Sequence, residues 1–149
     1  MTGYHGLPEQ TAEVFAGGWL HTGDIGRYDD DGFLYIIDRK KDMIVSGGFN
    51  VFPREIEDVI ATHPSVAQVA VIGVPSDTWG EAVKAIIVPR PGQSVDADEI
   101  VALVKQAKGS VQAPKSVDIV EAIPCSALGK PDKKALRQQY WSDRERSVN

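Results

Sequence analysis

The spacing of apolar residues changes along the chain, and each change marks an element. From Pro53 onward Ile56, Val59 and Ile60 fall at i, i+3 and i+4, which predicts a helix with one apolar face. Pro53 suits its first turn, and His63-Pro64 stops it. "VAQVAVIGVP" then reads as a strand ended by Pro75. "EAVKAIIVPR" reads as another, with Ala82, Lys84, Ile86 and Val88 on one face and Val83, Ala85 and Ile87 on the other. In "SVDADEIVALVKQAKG" the period returns to helical. Asp96 with Glu99 three residues later resembles a capping box, Ile100, Leu103, Val104 and Ala107 form the inner stripe, and Gly109 ends the helix. "KSVDIVEAIP" gives a third strand, and "KPDKKALRQQYW" a last helix with Asp132 as N-cap and Leu136 and Tyr140 facing inward.

Upstream the pattern is different. Residues 1–18 are glycine-rich and read as an irregular lead-in. "RYDDDGFLYIID" reads as a hairpin turning at Asp30, Asp31 and Gly32, with Phe33, Tyr35 and Ile37 alternating with Leu34 and Ile36 on the return strand. "DMIVSGGFNV" reads as a short strand, a glycine turn and an extended stretch. The predicted fold is α+β: a small domain over 43–149 with helices covering a three-stranded sheet, preceded by a β-hairpin. Residues 1–37 carry too little apolar surface to bury themselves and read as the end of a larger domain, with the charged segment 38–42 at the junction.

Composition narrows the class. With 149 residues, 42% hydrophobic and 25% charged, the chain can bury a core. A net charge of -5 does not suggest a nucleic-acid surface. Runs such as "VAVIGV" are far too short to span a bilayer, and the N-terminus lacks the basic-then-apolar order of a signal peptide. Cys125 is the single cysteine, so no internal disulfide can form, and a cytoplasmic location is expected. Three histidines and no clustered Cys or His predict no metal site.

Four stretches carry candidate chemistry: "GWLHTGD" (18–24), "DRKKDMIVSGGFNVFPREIE" (38–57), "GVPSDTWGEAVKAIIVPR" (73–90) and "IPCSALGKPDKKALR" (123–137). Together and in this order they closely resemble the C-terminal end of the AMP-forming acyl-CoA synthetases, the adenylate-forming superfamily. The resemblance runs from about Gly17 to Trp141. It implies two half-reactions. A carboxylate attacks the α-phosphate of ATP to give acyl-AMP, and the CoA thiol then attacks the acyl carbon and releases AMP. It also implies a C-terminal lid domain that rotates about a hinge between the two steps.

The roles it implies fall on particular residues. Asp24 matches the aspartate that accepts hydrogen bonds from the ribose hydroxyls of ATP or AMP, and Arg39 an arginine on the ribose and phosphate side. Read alone, Asp24 is a turn residue and Arg39 a surface ion-pair partner of Asp38 or Asp42. Lys41 falls at the hinge position. Ser46, Gly47 and Gly48 match the loop lining the pantetheine tunnel, where a Cβ would obstruct CoA; read alone they form a β-turn. Trp79 matches a tryptophan that contacts CoA or the partner domain, and Lys115 a basic position near the CoA phosphates. Lys130 matches the catalytic lysine of a mobile loop, whose charge offsets repulsion between the α-phosphate and the substrate carboxylate. Pro131 departs from the family, which has an apolar residue there.

The family's phosphate-binding loop, acyl pocket and Mg2+ ligands belong to its N-terminal core domain, and no such loop occurs in this sequence. ATP and CoA are therefore expected as substrates, with Mg2+ held by the core domain and not by this chain. "SGGFNVFPREIE" and "WGEAVKAIIVPRPG" are closer to fatty-acyl and aromatic acyl-CoA ligases than to acetyl-CoA synthetases. The expected activity is that of the C-terminal part of a ligase for a carboxylic acid, in first place a fatty acid, inactive alone. The alternative is a stand-alone lid-fold module for binding or assembly. The unpaired strand edges of 17–38 also predict a homodimer.

Overall fold

A computed structural model describes residues 1–141. Contacts divide the chain into two units, one of Met1–Lys40 and one beginning at Lys41.

In the first unit the lead-in is not irregular. Helix α1 spans Pro8–Val14, with proline at its start, and a 3-10 turn follows at Ala16–Gly18. The Thr11 hydroxyl donates to the Leu7 carbonyl at 2.8 Å and accepts the Tyr4 amide at 2.9 Å. The helix escaped a reading by periodicity because it buries no residue and has no apolar stripe. Strands β1 (Asp24–Tyr28) and β2 (Leu34–Arg39) form the expected antiparallel hairpin. Asp29 holds its turn: the carboxylate accepts the Phe33 amide at 2.8 Å and the Asp31 amide at 3.1 Å. Gly26 lies where the register shifts, and an added Cβ would come within 3.1 Å of the Tyr35 carbonyl. Tyr28, Phe33, Leu34, Tyr35 and Ile36 are all exposed.

The second unit holds a five-stranded sheet, not the predicted three-stranded one. Strands β3 (Ile44–Ser46) and β4 (Phe49–Val51) form a tight hairpin that joins the sheet. Its turn is Gly47-Gly48, with φ of 58° and 83°, the positive values that a two-residue primed turn requires. The short strand, glycine turn and extended stretch read from "DMIVSGGFNV" are thus present; three-residue strands show too little alternation to reveal that they join the sheet. Helix α2 (Pro53–Ile60) leads into β5 (Val66–Ser76) and β6 (Gly80–Pro89), then α3 (Ala97–Lys108), β7 (Ser116–Ile119) and α4 (Lys133–Gln138). The sheet order is β4-β3-β6-β5, with β7 parallel to β6. β5 passes through Pro75, which the sequence reading took as its end. It is an edge strand and pairs only with β6, so a residue without an N–H is tolerated there.

Alternation on β5 and β6 sorts two apolar clusters. Val71, Val83, Ala85 and Ile87 pack with Ile56 and Ile60 of α2 and Ile100 and Val104 of α3. Ala70, Ile72 and Ile86, from the opposite face, pack with Ile123 and Leu136 of α4. Ala107, expected in the inner stripe, is exposed. Both caps form, Asp96 bonding the Asp98 amide and Asp132 the Ala135 amide. Glu99 does not complete a box in the expected sense; it lies 3.4 Å from His63.

Lys84 lies on the α4 side of the sheet and needs a partner. Its Nζ is 2.8 Å from Asp118 of β7, and the Tyr140 hydroxyl donates to the other Asp118 oxygen at 2.7 Å. Burial and the Asp118 contact push the Tyr140 hydroxyl up to about 12. For Asp118, burial works upward, but the hydrogen bonds from Lys84 and Tyr140 outweigh it and the carboxyl lies below its ordinary value. A tyrosine that keeps its proton longer when folded stabilises the fold below its unfolded value of about 10. That contribution is lost as pH rises through about 12. Tyr140→Phe is therefore expected to lower Tm at neutral pH, with the gap to wild type closing between about pH 10 and 12. A gap that stays constant across that window in thermal unfolding would count against the Asp118 contact as its source.

Candidate functional site

The hairpin of the first unit brings Asp24 and Arg39 together. They are direct register partners at the open end of β1 and β2, and the Arg39 Nε lies 3.3 Å from an Asp24 oxygen. The Lys40 amide donates to the Gly23 carbonyl at 2.7 Å and fastens the same end. The pair is solvent-exposed and contributes little to stability. Its chemical content is a carboxylate beside a guanidinium, a hydroxyl acceptor next to an anion donor. Arg39 pairs with Asp24, a partner the sequence reading did not name, and Asp42, one of the two it did, is held by Arg137. Lys41 is exposed and lies in the 3-10 turn Lys40–Asp42.

In the second unit, three of the residues singled out above converge on the β3–β4 turn. The Gly47 amide donates to the Trp79 carbonyl at 2.9 Å. The indole also lies over Gly47: an added Cβ would stand 2.8 Å from the Trp79 ring. Lys115 approaches from another side, its Nζ 5.3 Å from the centre of that ring. The same ammonium donates to the Ser110 carbonyl at 2.6 Å and the Ala113 carbonyl at 3.1 Å. Desolvation holds Lys115 below the ordinary lysine value. Lys115 is thus engaged in bracing Trp79 and the 110–113 turn, an arrangement its sequence context gave no sign of. Gly48 differs from Gly47: nothing lies within 4 Å of an added Cβ. Ser46 turns inward, buried, and its Oγ has no hydrogen-bond partner among the described residues. The surface of this turn is therefore glycine backbone and the exposed indole, not the serine hydroxyl.

Lys130 lies on a separate, small turn. Cys125 and Pro131 bridge its base, the Ser126 amide donates to the Lys130 carbonyl at 2.7 Å, and the Gly129 amide to the Ser126 carbonyl at 2.9 Å. Gly129 takes a φ of 74°, and Lys130 is exposed. Two residues later Asp132 caps α4. That helix is fastened by pairs that sequence reasoning missed: Lys133 to Glu57 and Arg137 to Asp42, both at 2.8 Å and both partly buried. The only local signal is the spacing of Lys133 and Arg137, one turn apart. Their partners are far away in the chain, 95 residues in the case of Asp42.

No group of three or more His, Cys, Asp or Glu that could hold a metal occurs among the described residues, and no helix among them is long and apolar enough to cross a membrane.

The AMP-binding enzyme C-terminal domain model matches residues 55–130. The medium/long-chain-fatty-acid–CoA ligase of Mycobacterium tuberculosis is 57% identical over 98% of this chain, and the chain covers 27% of that ligase. Feruloyl-CoA synthase from Amycolatopsis is 43% identical over 94% of the chain, which covers 28% of it. Among solved structures, the amide bond synthetase McbA of Marinactinospora thermotolerans superposes with a TM-score of 0.85 at 43% identity, over 94% of this chain and 29% of that one.

Proposed function

The chain belongs to the AMP-binding enzyme C-terminal domain family, and from that premise we propose that it acts as the C-terminal part of an ATP-dependent acyl-CoA ligase. The segment spans just over a quarter of the ligase to which it is 57% identical, so the remainder of the machinery is assigned to an N-terminal core domain. That domain supplies the acyl pocket, the phosphate-binding loop and Mg2+, in the cytoplasm. A fatty acid is the first choice of substrate, because the relative just named activates fatty acids.

Each group found above then has work within the two half-reactions. Asp24 accepts the ribose hydroxyls and Arg39 faces the sugar-phosphate side. Segment 38–42 is the hinge and Lys41 its pivot, between the end of the core domain and the lid. In the first step Lys130 places its ammonium between the α-phosphate and the attacking carboxylate. Its charge stabilises the pentavalent phosphorus as pyrophosphate leaves. In the second step the Gly47-Gly48 turn and Trp79 border the path of the pantetheine arm, with Lys115 holding the indole. Ser46 supports that turn from beneath. The observation that carries this reading is the exposed Lys130 on a glycine turn bridged at its base and backed by a capped, ion-paired helix. That is a charge held in place yet directed outward, without a core role.

The test uses the chain alone and joined to the N-terminal domain of the related fatty-acid ligase. Alone, it is expected to give no acid-dependent ATP–pyrophosphate exchange. It is also expected to pair with a second copy through the exposed edges of β1 and β2, seen as a dimer mass in light scattering. Joined, it should support exchange with fatty acids. Exchange by the chain alone, or none by the joined protein, would overturn the reading.

A further inference from the structure

Lys130 can act only where its turn is held, and the turn itself has few means of holding. It is closed by local hydrogen bonds and continues directly into α4. Six residues make too short a helix to be stable alone, so α4 takes its place from tertiary contacts. Leu136 supplies the apolar one. Lys133 and Arg137 supply the polar ones, and their two partners have different consequences. Glu57 belongs to α2, and the oxygen that meets Lys133 also accepts the Val71 amide of β5 at 2.7 Å. That pair ties α4 to the body of the domain. Asp42 belongs to no long element. It ends the 3-10 turn Lys40–Asp42, immediately after Lys41. Its contact with Arg137 is 2.8 Å, and the side chains are only 14% and 13% exposed. Removing one member of such a pair leaves a poorly solvated charge behind.

We propose that Asp42 is a positioning residue for Lys130: through Arg137 it locks the helix that carries the lysine turn to the first residue beyond the pivot. The proposal rests on the reading that Lys130 acts in adenylation and that the chain turns about Lys41. Motion at the pivot is then delivered to Lys130 without slack, because the residue that leaves the hinge and the helix behind the lysine move as one body. Asp42 touches no substrate. Its effect on the reaction passes through Lys130, and so it is confined to the step in which Lys130 acts.

Two measurements test this with Asp42→Asn and Arg137→Gln. The first is hydrogen exchange on the chain itself, which requires no activity. The amides of Ser126, Gly129, Asp132, Ala135 and Leu136 are expected to exchange about tenfold faster in either variant, while Ala85 and Ile87 in the sheet stay protected. Retained sheet protection also shows that the variant is folded. The second uses the joined ligase and resolves the half-reactions. Acyl-AMP formation should fall by about tenfold to a hundredfold, the scale of a misplaced catalytic group. Thioester formation from supplied acyl-AMP should not change. Combining Asp42→Asn with Lys130→Ala should be no worse than Lys130→Ala alone, since a residue that acts through Lys130 has nothing left to position. Unchanged protection at the lysine turn, equal loss in both half-reactions, or additive losses in the double variant would each overturn the proposal. A failure of the underlying reading looks different: there Lys130→Ala itself would leave adenylation intact.

Discussion

Lys130→Ala is expected to lower acyl-AMP formation by about 10² or more, the loss typical of one preorganised charge stabiliser, and to leave thioester formation from supplied acyl-AMP largely intact. The asymmetry is the informative part. Lys130 is exposed and belongs to neither apolar cluster, so its removal should change stability by no more than about 0.5 kcal/mol. An effect on only one half-reaction therefore cannot come from unfolding. Lys130→Arg keeps the charge but replaces a compact ammonium with a planar fork, and is expected to recover only part of the rate. Pro131 sharpens the effect. It fixes its own φ, biases Lys130 toward extended backbone, and bridges to Cys125 across the turn. The lysine is thus presented from a backbone with little freedom, and the departure from the family's apolar residue becomes a stiffener. Single-turnover assays of the two steps in the joined ligase, with Tm measured alongside, check the expectation. Equal damage to both steps would show that the role given to Lys130 is wrong.

What the sequence made legible follows the range of the interactions concerned. Elements with a long period were readable: Ile56, Val59 and Ile60 marked α2, and the alternation over residues 82–88 sorted the two faces of β6 as the apolar clusters now sort them. Caps were readable because Asp96 and Asp132 act within three residues of their own position. Elements with no buried stripe were not. α1 buries nothing. The strand, turn and extended stretch of β3 and β4 were read, but not their place in the sheet, which rests on pairing: β4 with β3, and β3 with β6 at Ser46 and Gly80. The candidate site divides in the same way. Gly47-Gly48 and the glycine before Lys130 announced turns, since positive φ favours glycine. That Trp79 covers Gly47, that Lys115 spends its donors on the 110–113 carbonyls, and that Asp42 and Glu57 reach α4 are tertiary facts. Each joins residues too distant in the chain for spacing to reveal them.

Gly48→Leu is expected to do the reverse of Lys130→Ala: slow thioester formation by about 10² and spare adenylation. The two glycines of the β3–β4 turn separate blockage from damage. At Gly47 a side chain would be driven into the Trp79 ring, displacing the indole and with it the contact to Lys115. Substitution there mixes a local fold change with any effect on CoA, and its result would be hard to assign. At Gly48 nothing lies within 4 Å of an added Cβ, so a side chain there starts into open space and alanine displaces nothing within the domain. The backbone cost of leucine is the positive φ of 83°, about 1 kcal/mol for an ordinary residue. Gly48→Ala carries nearly the same backbone cost with three fewer carbons. The difference between leucine and alanine therefore isolates obstruction from strain. If the turn borders the pantetheine path, Leu should slow the CoA step far more than Ala while their Tm values stay close, and the KM for CoA should rise with the loss of rate. Ala and Leu that slow the step equally would place the effect in the backbone of the turn, and the glycine would then be required for its conformation alone.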